Sequence, residues 1–294
     1  GLLDIAVAND TGRNFLFVNQ GNGAFKESGI EFGLAFDSGG MATGAMGIDA
    51  ANFANDEQQA IVIGNFANEM SSFYVSQGDG KVFSDDAIVV GIGASSRKAL
   101  TFGVVFLDLD LDGYLDVIAA NGHVEPQINK VQSSQAYAQP VQVFWNCGGA
   151  CIRQYQLVDE TGDMAQPLVG RGAVYGDIDA DGDLDVVLTE VGGRTRVLRN
   201  DQQSGHHWLA VELQQPAANR NAIGAKLVLE TDATIQYRTV MPARSYLSQV
   251  PLRQTFGLGA SERIKRLTVI WPDGQEQSWT DLAVDQVHVL ARGL

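Results

Sequence analysis

The chain has 294 residues, 45% of them hydrophobic, which suffices for one large domain or two ordinary ones with real cores. Its formal charge of −15 is lopsided: residues 205–294 hold nine basic and eight acidic side chains, and residues 1–204 hold eleven and 27. Such a balance excludes nucleic acid and anionic membranes as partners and favours divalent cations; no apolar run approaches the roughly 18 residues of a membrane span.

In chain order, "GLLDIAVAND" reads as the tail of an Asp-rich loop followed by a strand, with Gly1 and Asp4 matching Gly113 and Asp116 further on. The expectation is therefore that the true N-terminus and any export signal lie upstream. The same arrangement then recurs. Asp-rich or Asp-like loops end at Asp4, Ala60, Asp116 and Asp185, spaced 56, 56 and 69 residues apart. Each is followed by a short β run: "IAVAN", "IVIGN", "VIAAN" and "VVLTE". Ahead of the later loops lie the Gly-led apolar strands "GAMGIDAANF", "FGVVFLD" and "RGAVYGD". Alternation, β-branched residues and Gly/Asn/Asp turns predict strands, and helical periodicity is absent. A four-stranded unit recurring at this period predicts β-propeller blades, about three and a half of them, near 1–47, 48–103, 104–172 and 173–204. The polar stretch 125–140 lengthens one step and reads as a long loop. From 205 to 294 the repeat gives way to other alternating strands and a "WPDG" turn, which predict a small β-sandwich.

Two loops carry the chemistry. "DLDLDGYLD" (108–116) and "DIDADGDLD" (177–185) place carboxylates at positions 1, 3 and 5, a turn glycine at 6, an inward carbonyl at 7 and a closing Asp at 9. Calcium takes six to eight hard oxygens, which such a loop can supply, and a dication cancels much of the mutual repulsion. The ligands predicted are Asp108, Asp110, Asp112, the Tyr114 carbonyl and Asp116, and then Asp177, Asp179, Asp181, the Asp183 carbonyl and Asp185. The Asp183 side chain is expected to face solvent, since Tyr114 holds that place in the sister loop. An EF-hand is excluded, because position 12 is Ala119 or Leu188 and both flanks are strands. Metal-free Asx turns on an acidic surface are the plain alternative. "NFANDEQQA" (52–60) keeps only Asn52 and Asp56, and predicts a hydrogen-bonded turn with no ion.

These loops and the strands before them resemble FG-GAP/VCBS repeats, the blades of integrin-α-like propellers. The tail "NRNAIGAKLVLE…SYLSQVPLRQTFGLG…LTVIWPDGQEQSW" resembles the ASPIC/UnbV domain. The two in that order are similar to the cartilage acidic protein family and its bacterial relatives. The resemblance implies an exported, calcium-stabilised, seven-bladed propeller with a C-terminal β module, acting in surface interaction or adhesion without established catalysis. It departs at 52–60 and at Cys147 and Cys151, which replace an expected Gly-rich turn.

Cys147 and Cys151, at C-x₃-C spacing, admit a hairpin disulfide, a soft-metal pair or free thiols. The extracellular setting favours the disulfide. His123 in "NGHVEP" is a candidate site residue or a packing histidine. Arg244, Tyr246 and Arg253 form either a polar partner-binding patch or a brace for a loop. His206 and His207, adjacent on a strand, should point to opposite faces. The function expected is a secreted, cell-surface or periplasmic calcium-binding propeller that engages a protein or glycan, or its own copies. The alternatives are a polysaccharide lyase or dehydratase, marked by a His-containing central cleft with a metal at its floor, and a subunit of a surface filament.

Overall fold

A computed structural model describes residues 2–78, 80–216 and 218–293. Gly1, part of the expected first loop, lies outside the described residues. The fold is all-β, and its first part is a succession of four small antiparallel sheets. The first holds β1 (Ile5–Val7), β2 (Phe15–Asn19) and β3 (Phe25–Glu27). The second holds β4 (Ile48–Asn52), β5 (Gln59–Ile63), β6 (Ser72–Gln77) and β7 (Val82–Asp85). The third is built from β8 (Thr101–Leu107), β9 (Asp116–Asn121), β10 (Gln142–Asn146) and β11 (Tyr155–Leu157). The fourth contains β12 (Gly170–Gly176), β13 (Asp185–Glu190) and β14 (Arg196–Leu198). Within each, strands pair in chain order, as propeller blades do.

Apolar faces weld neighbouring blades. Leu16, Ile61 and Tyr74 join the first to the second. Phe53, Phe73, Phe106 and Tyr155 join the second to the third, with Phe53 and Phe73 edge to face at 5.2 Å. Val105, Ile118, Ala173 and Val186 join the third to the fourth. Strand β8 is buried along its whole length, which is why "TFGVVFL" is a continuous apolar run rather than an alternating one. Its Gly103 lets two blade backbones meet: an added Cβ would lie 2.7 Å from the Arg171 carbonyl and 2.8 Å from the Ala173 nitrogen.

Among the described residues, helix is confined to single turns. Ala87–Val90 (α1) and Gly93–Ser96 (α2) sit between the second and third blades, and Ile128–Val131 (α3) lies inside the 125–140 insertion, which is thus a partly ordered loop. None of these turns is long enough to leave a 3.6-residue signature.

The tail packs two sheets. β15 (His207–Gln214) lies between β20 (Gln254–Gly259), antiparallel, and β23 (Gln286–Ala291), parallel. The other sheet orders β17 (Ile235–Thr239), β16 (Lys226–Thr231), β21 (Ile264–Ile270) and β22 (Glu276–Trp279). Leu209, Val211, Leu227, Phe256, Leu267 and Trp271 fill the space between. A small hairpin, β18 (Ala243–Arg244) with β19 (Ser248–Gln249), leaves this module. The tail is seated on the propeller, with β17 and β18 packed on β4 and β19 on β12. Arg244 of the hairpin grips Asp49 of β4 with two 2.7 Å bonds and donates a third, also 2.7 Å, to the Tyr175 hydroxyl. Burial opposes the guanidinium's charge; Asp49 and Tyr175 outweigh it and raise the pKa of Arg244.

Candidate metal centres

Each Asp loop joins the first strand of a blade to the second, where antiparallel pairing brings its ends together: Leu107 faces Asp116, and Gly176 faces Asp185. The fourth loop residue takes the left-handed conformation, Leu111 at φ 58° and Ala180 at 65°, as does Asn55 (57°) in the degenerate loop. For Leu and Ala that conformation costs about 1–2 kcal/mol, so the loop shape is imposed by its surroundings. Gly113 and Gly182 follow with φ 96° and 102°.

Within these shapes Asp108, Asp110 and Asp116 bring carboxylate oxygens within 4.8 Å of one another, as do Asp177, Asp179 and Asp185. Asp112 and Asp181 stand aside from these sets. Asp112 accepts from Tyr114 N at 2.8 Å and Asp181 from Asp183 N at 3.2 Å. The Tyr114 ring lies over Gly148 beside the Cys147–Cys151 disulfide. Asp183 corrects the sequence reading: its side chain is not in solvent but 4% exposed, with a buried Oδ1 that has no hydrogen-bond partner. Loop curvature turns it inward.

The electrostatics are those of crowded, buried carboxyl groups. Burial, with Asp112 and Asp110 nearby, pushes Asp108 up to about 8. Burial and Asp110 push Asp112 to about 6, and burial raises Asp116 well above the usual carboxylate range. In the second loop, burial and then Asp181, Asp185 and Asp179 push Asp183 to about 7. Buried polar atoms without partners are unfavourable, and Asp108 Oδ1 and Asp177 Oδ1 are both buried without one. Three converging carboxylates with orphaned oxygens are a hard-oxygen donor set that could hold a metal ion.

The closing aspartate has a second task that sequence reasoning missed. Asp4, Asp116 and Asp185 each accept, at 2.8, 2.8 and 2.9 Å, the backbone N–H of an asparagine at or just past the end of a later strand of the same sheet: Asn19 ends β2, Asn146 ends β10 and Asn200 follows β14. The signal was available in "FVNQG", "FWNCG" and "LRNDQ". The 52–60 turn is closed instead by Asn52, whose amide donates to the carbonyls of Asp56, Glu57 and Gln58 at 3.5, 3.1 and 3.1 Å.

The remaining candidates are scattered. His123 is buried, packs edge-on against Phe66 at 5.5 Å and accepts Glu125 N at Nδ1 (3.0 Å). Burial, reinforced by Arg171, lowers its pKa. Tyr246 packs on Phe102 at 5.0 Å, and Arg253 pairs with Glu212 at 2.8 Å on the surface. His206 and His207 diverge: one imidazole meets the Asp110 carbonyl at 2.7 Å, the other Asp285 at 2.7 Å. A cavity of about 810 Å³ opens between the four propeller sheets and the tail, with Asp49, Asp108, Tyr175, Arg238 and Arg244 on its polar wall and no histidine among its described lining residues. Among the described residues no helix is long and apolar enough to cross a membrane.

Residues 215–293 match the family model described as ASPIC and UnbV. Over 277 residues the chain is 28% identical to cartilage acidic protein 1 of Mus musculus, and over 282 residues 28% identical to that of Xenopus tropicalis. Each alignment covers 92% of this chain and 40% of the relative, so the chain spans well under half the length of these relatives. Among solved structures, the V. cholerae biofilm matrix protein Bap1 aligns over 95% of this chain and 55% of its own, at 11% identity and a TM-score of 0.35. That likeness is too loose to bear on function.

Proposed function

We propose that the chain is the calcium-binding part of an exported protein, whose FG-GAP/VCBS-type blades (1–204) and ASPIC/UnbV-type module (205–294) engage a protein or glycan at a cell surface or in a matrix, or assemble with their own copies. The carrying observation is that two loops at blade spacing each gather three carboxylates around a buried oxygen that has no protein partner. Asp108, Asp110 and Asp116 would hold one ion and Asp177, Asp179 and Asp185 the other. Asp112, Asp181 and the carbonyls of Tyr114 and Asp183 are the nearest further donors in sequence. Bound calcium would supply charge neutralisation and pin each loop between its strands. The acidity of the first 204 residues, the disulfide and the likeness to proteins named cartilage acidic protein 1 support the export and surface reading.

The role of the ions is structural. On the polar wall of the cavity Arg244 engages Asp49, and one oxygen of Asp108 takes two backbone N–H groups. Calorimetric titration of the chelator-stripped chain with Ca²⁺ should show two sites. A heat-free titration, with no metal in elemental analysis of the purified protein, would sink the proposal.

A further inference from the structure

We infer that the first metal loop is a site shared between the two modules: Gly257 of the tail, backed by Gln236 and Arg238, positions Asp108, so that filling this loop and docking the tail are one linked equilibrium. The inference rests on the calcium reading above and goes beyond it.

Asp108 is 1% exposed. Its Oδ2 accepts two N–H groups, one from its own loop (Gly113, 2.9 Å) and one from tail strand β20 (Gly257, 3.1 Å). A carboxylate pinned at one oxygen cannot rotate, so the direction of the free, buried Oδ1 is set partly by the tail. Gly257 admits no side chain, because a Cβ would strike Asp108 Oδ2 and the Leu111 backbone. The Gln236 amide holds the Gly257 carbonyl at 2.6 Å. Arg238 donates to Gln236 Oε1 at 3.2 Å and reaches back to the Gly113 carbonyl at 3.5 Å. A further tail amide, Gly259 N–H, donates to the Leu111 carbonyl at 2.9 Å. The loop and the tail are therefore cross-connected through backbone on both sides.

The second loop is built differently. Asp177 is only half-buried, and Ile178, Asp179, Ala180 and Asp181 are exposed. Its closing Asp185 takes N–H groups from Ile178 and Asn200, and the tail meets it through the Trp208 ring lying on Gly182. Among the described residues, only in the first loop does a tail N–H reach a carboxylate of the metal set. Without an ion, Asp108 is a buried carboxyl group with one oxygen that has no hydrogen-bond partner, and the nearest relief is for β20 to lift and admit water. With an ion in place, the docked tail holds the ligand in position. Linkage makes the effect reciprocal.

Amide hydrogen exchange over residues 254–259 of the full chain, in Ca²⁺ and in EGTA, tests this. In the unmodified chain this segment should exchange at least tenfold more slowly in Ca²⁺. Asp110→Asn, which alters a first-loop ligand whose side chain touches Trp145 rather than the tail, should abolish the calcium response. Asp179→Asn, in the second loop, should leave it intact. Conversely, Gly257→Ala should weaken one of the two calorimetric calcium sites tenfold or more and spare the other; if that variant does not fold, the Asp110 and Asp179 variants decide. Exchange indifferent to calcium while both sites fill would overturn the coupling and leave the calcium reading standing. So would an Asp179→Asn chain that loses the response as fully as Asp110→Asn. Absence of calcium binding at either loop would overturn both.

Discussion

Asp183 and Tyr114 hold the same place in sister loops, and the difference between them shows how far one side chain depends on its surroundings. Tyr114 lies over Gly148, whereas Asp183 turns into its own loop, where burial and three neighbouring aspartates push it to about 7. With Asp108 at about 8, the folded, calcium-free chain retains protons that an unfolded chain releases near pH 4. The sign follows: the folded state binds more protons across that window, so stability from these groups is full below about pH 4 and declines as pH rises through about 8. In EGTA the melting temperature should therefore rise between pH 8 and pH 5; in saturating calcium protons compete with the ion and the trend should reverse. Melts at the two pH values, with and without calcium, check both signs. Arg244 gives a second test at this scale. The sequence marked it as polar and noteworthy, but could not show a partner 195 residues away. Arg244→Ala strands the fully buried Asp49 and should cost about 3–5 kcal/mol in urea unfolding.

At the scale of the element, what repeats was legible and what occurs once was not. The Gly-led inner strands, the loops and the strands after them were readable because the same residue types return at nearly constant spacing. The single-turn helices and the parallel pairing of β15 with β23 have no repeat and no periodicity long enough to register. The Asp–Asn ties from loop to the end of a later strand were visible only as ordinary asparagines, because their chain separation doubles from 15 to 30 residues in the blade that carries the insertion. The disulfide closes a short loop at the end of β10, with Cα atoms 5.6 Å apart. Chain entropy over so few residues limits its contribution to about 2 kcal/mol. Reduction should lower stability by no more than that, measured by urea denaturation with and without reductant, and should leave calcium stoichiometry unchanged.

Across the whole molecule, the sequence separated an acidic repeat from a near-neutral tail, but gave no hint that the tail sits on the inner strands. That contact depends on shape: Gly257 against Asp108, the 243–249 hairpin against β4 and β12, and Trp208 against Gly182. Glycines and a tryptophan in a β module are too ordinary to announce an interface. Two ions that bind only the folded chain stabilise it by about 2.7 kcal/mol each at a hundredfold excess over their dissociation constants. For a chain of this size, chelation should then lower the melting temperature by on the order of 10 °C. Scanning calorimetry in calcium and in EGTA measures the shift, and an unchanged melt would contradict a stabilising role.

In the second blade an amide closes the turn that the third and fourth blades line with carboxylates. Asn52 carries its donors covalently, so the 52–60 turn needs nothing from the medium to close. A chain made where free calcium is scarce and delivered to where it is plentiful would thus have one blade able to take shape early, with Phe53, Phe73 and the rest of its apolar face ready for its neighbours. The ion-dependent blades would complete themselves against it on arrival. In chelator, hydrogen exchange should find the amides of β4 to β6 the last in the propeller to lose protection, so the blade that dropped the motif becomes the template for those that kept it.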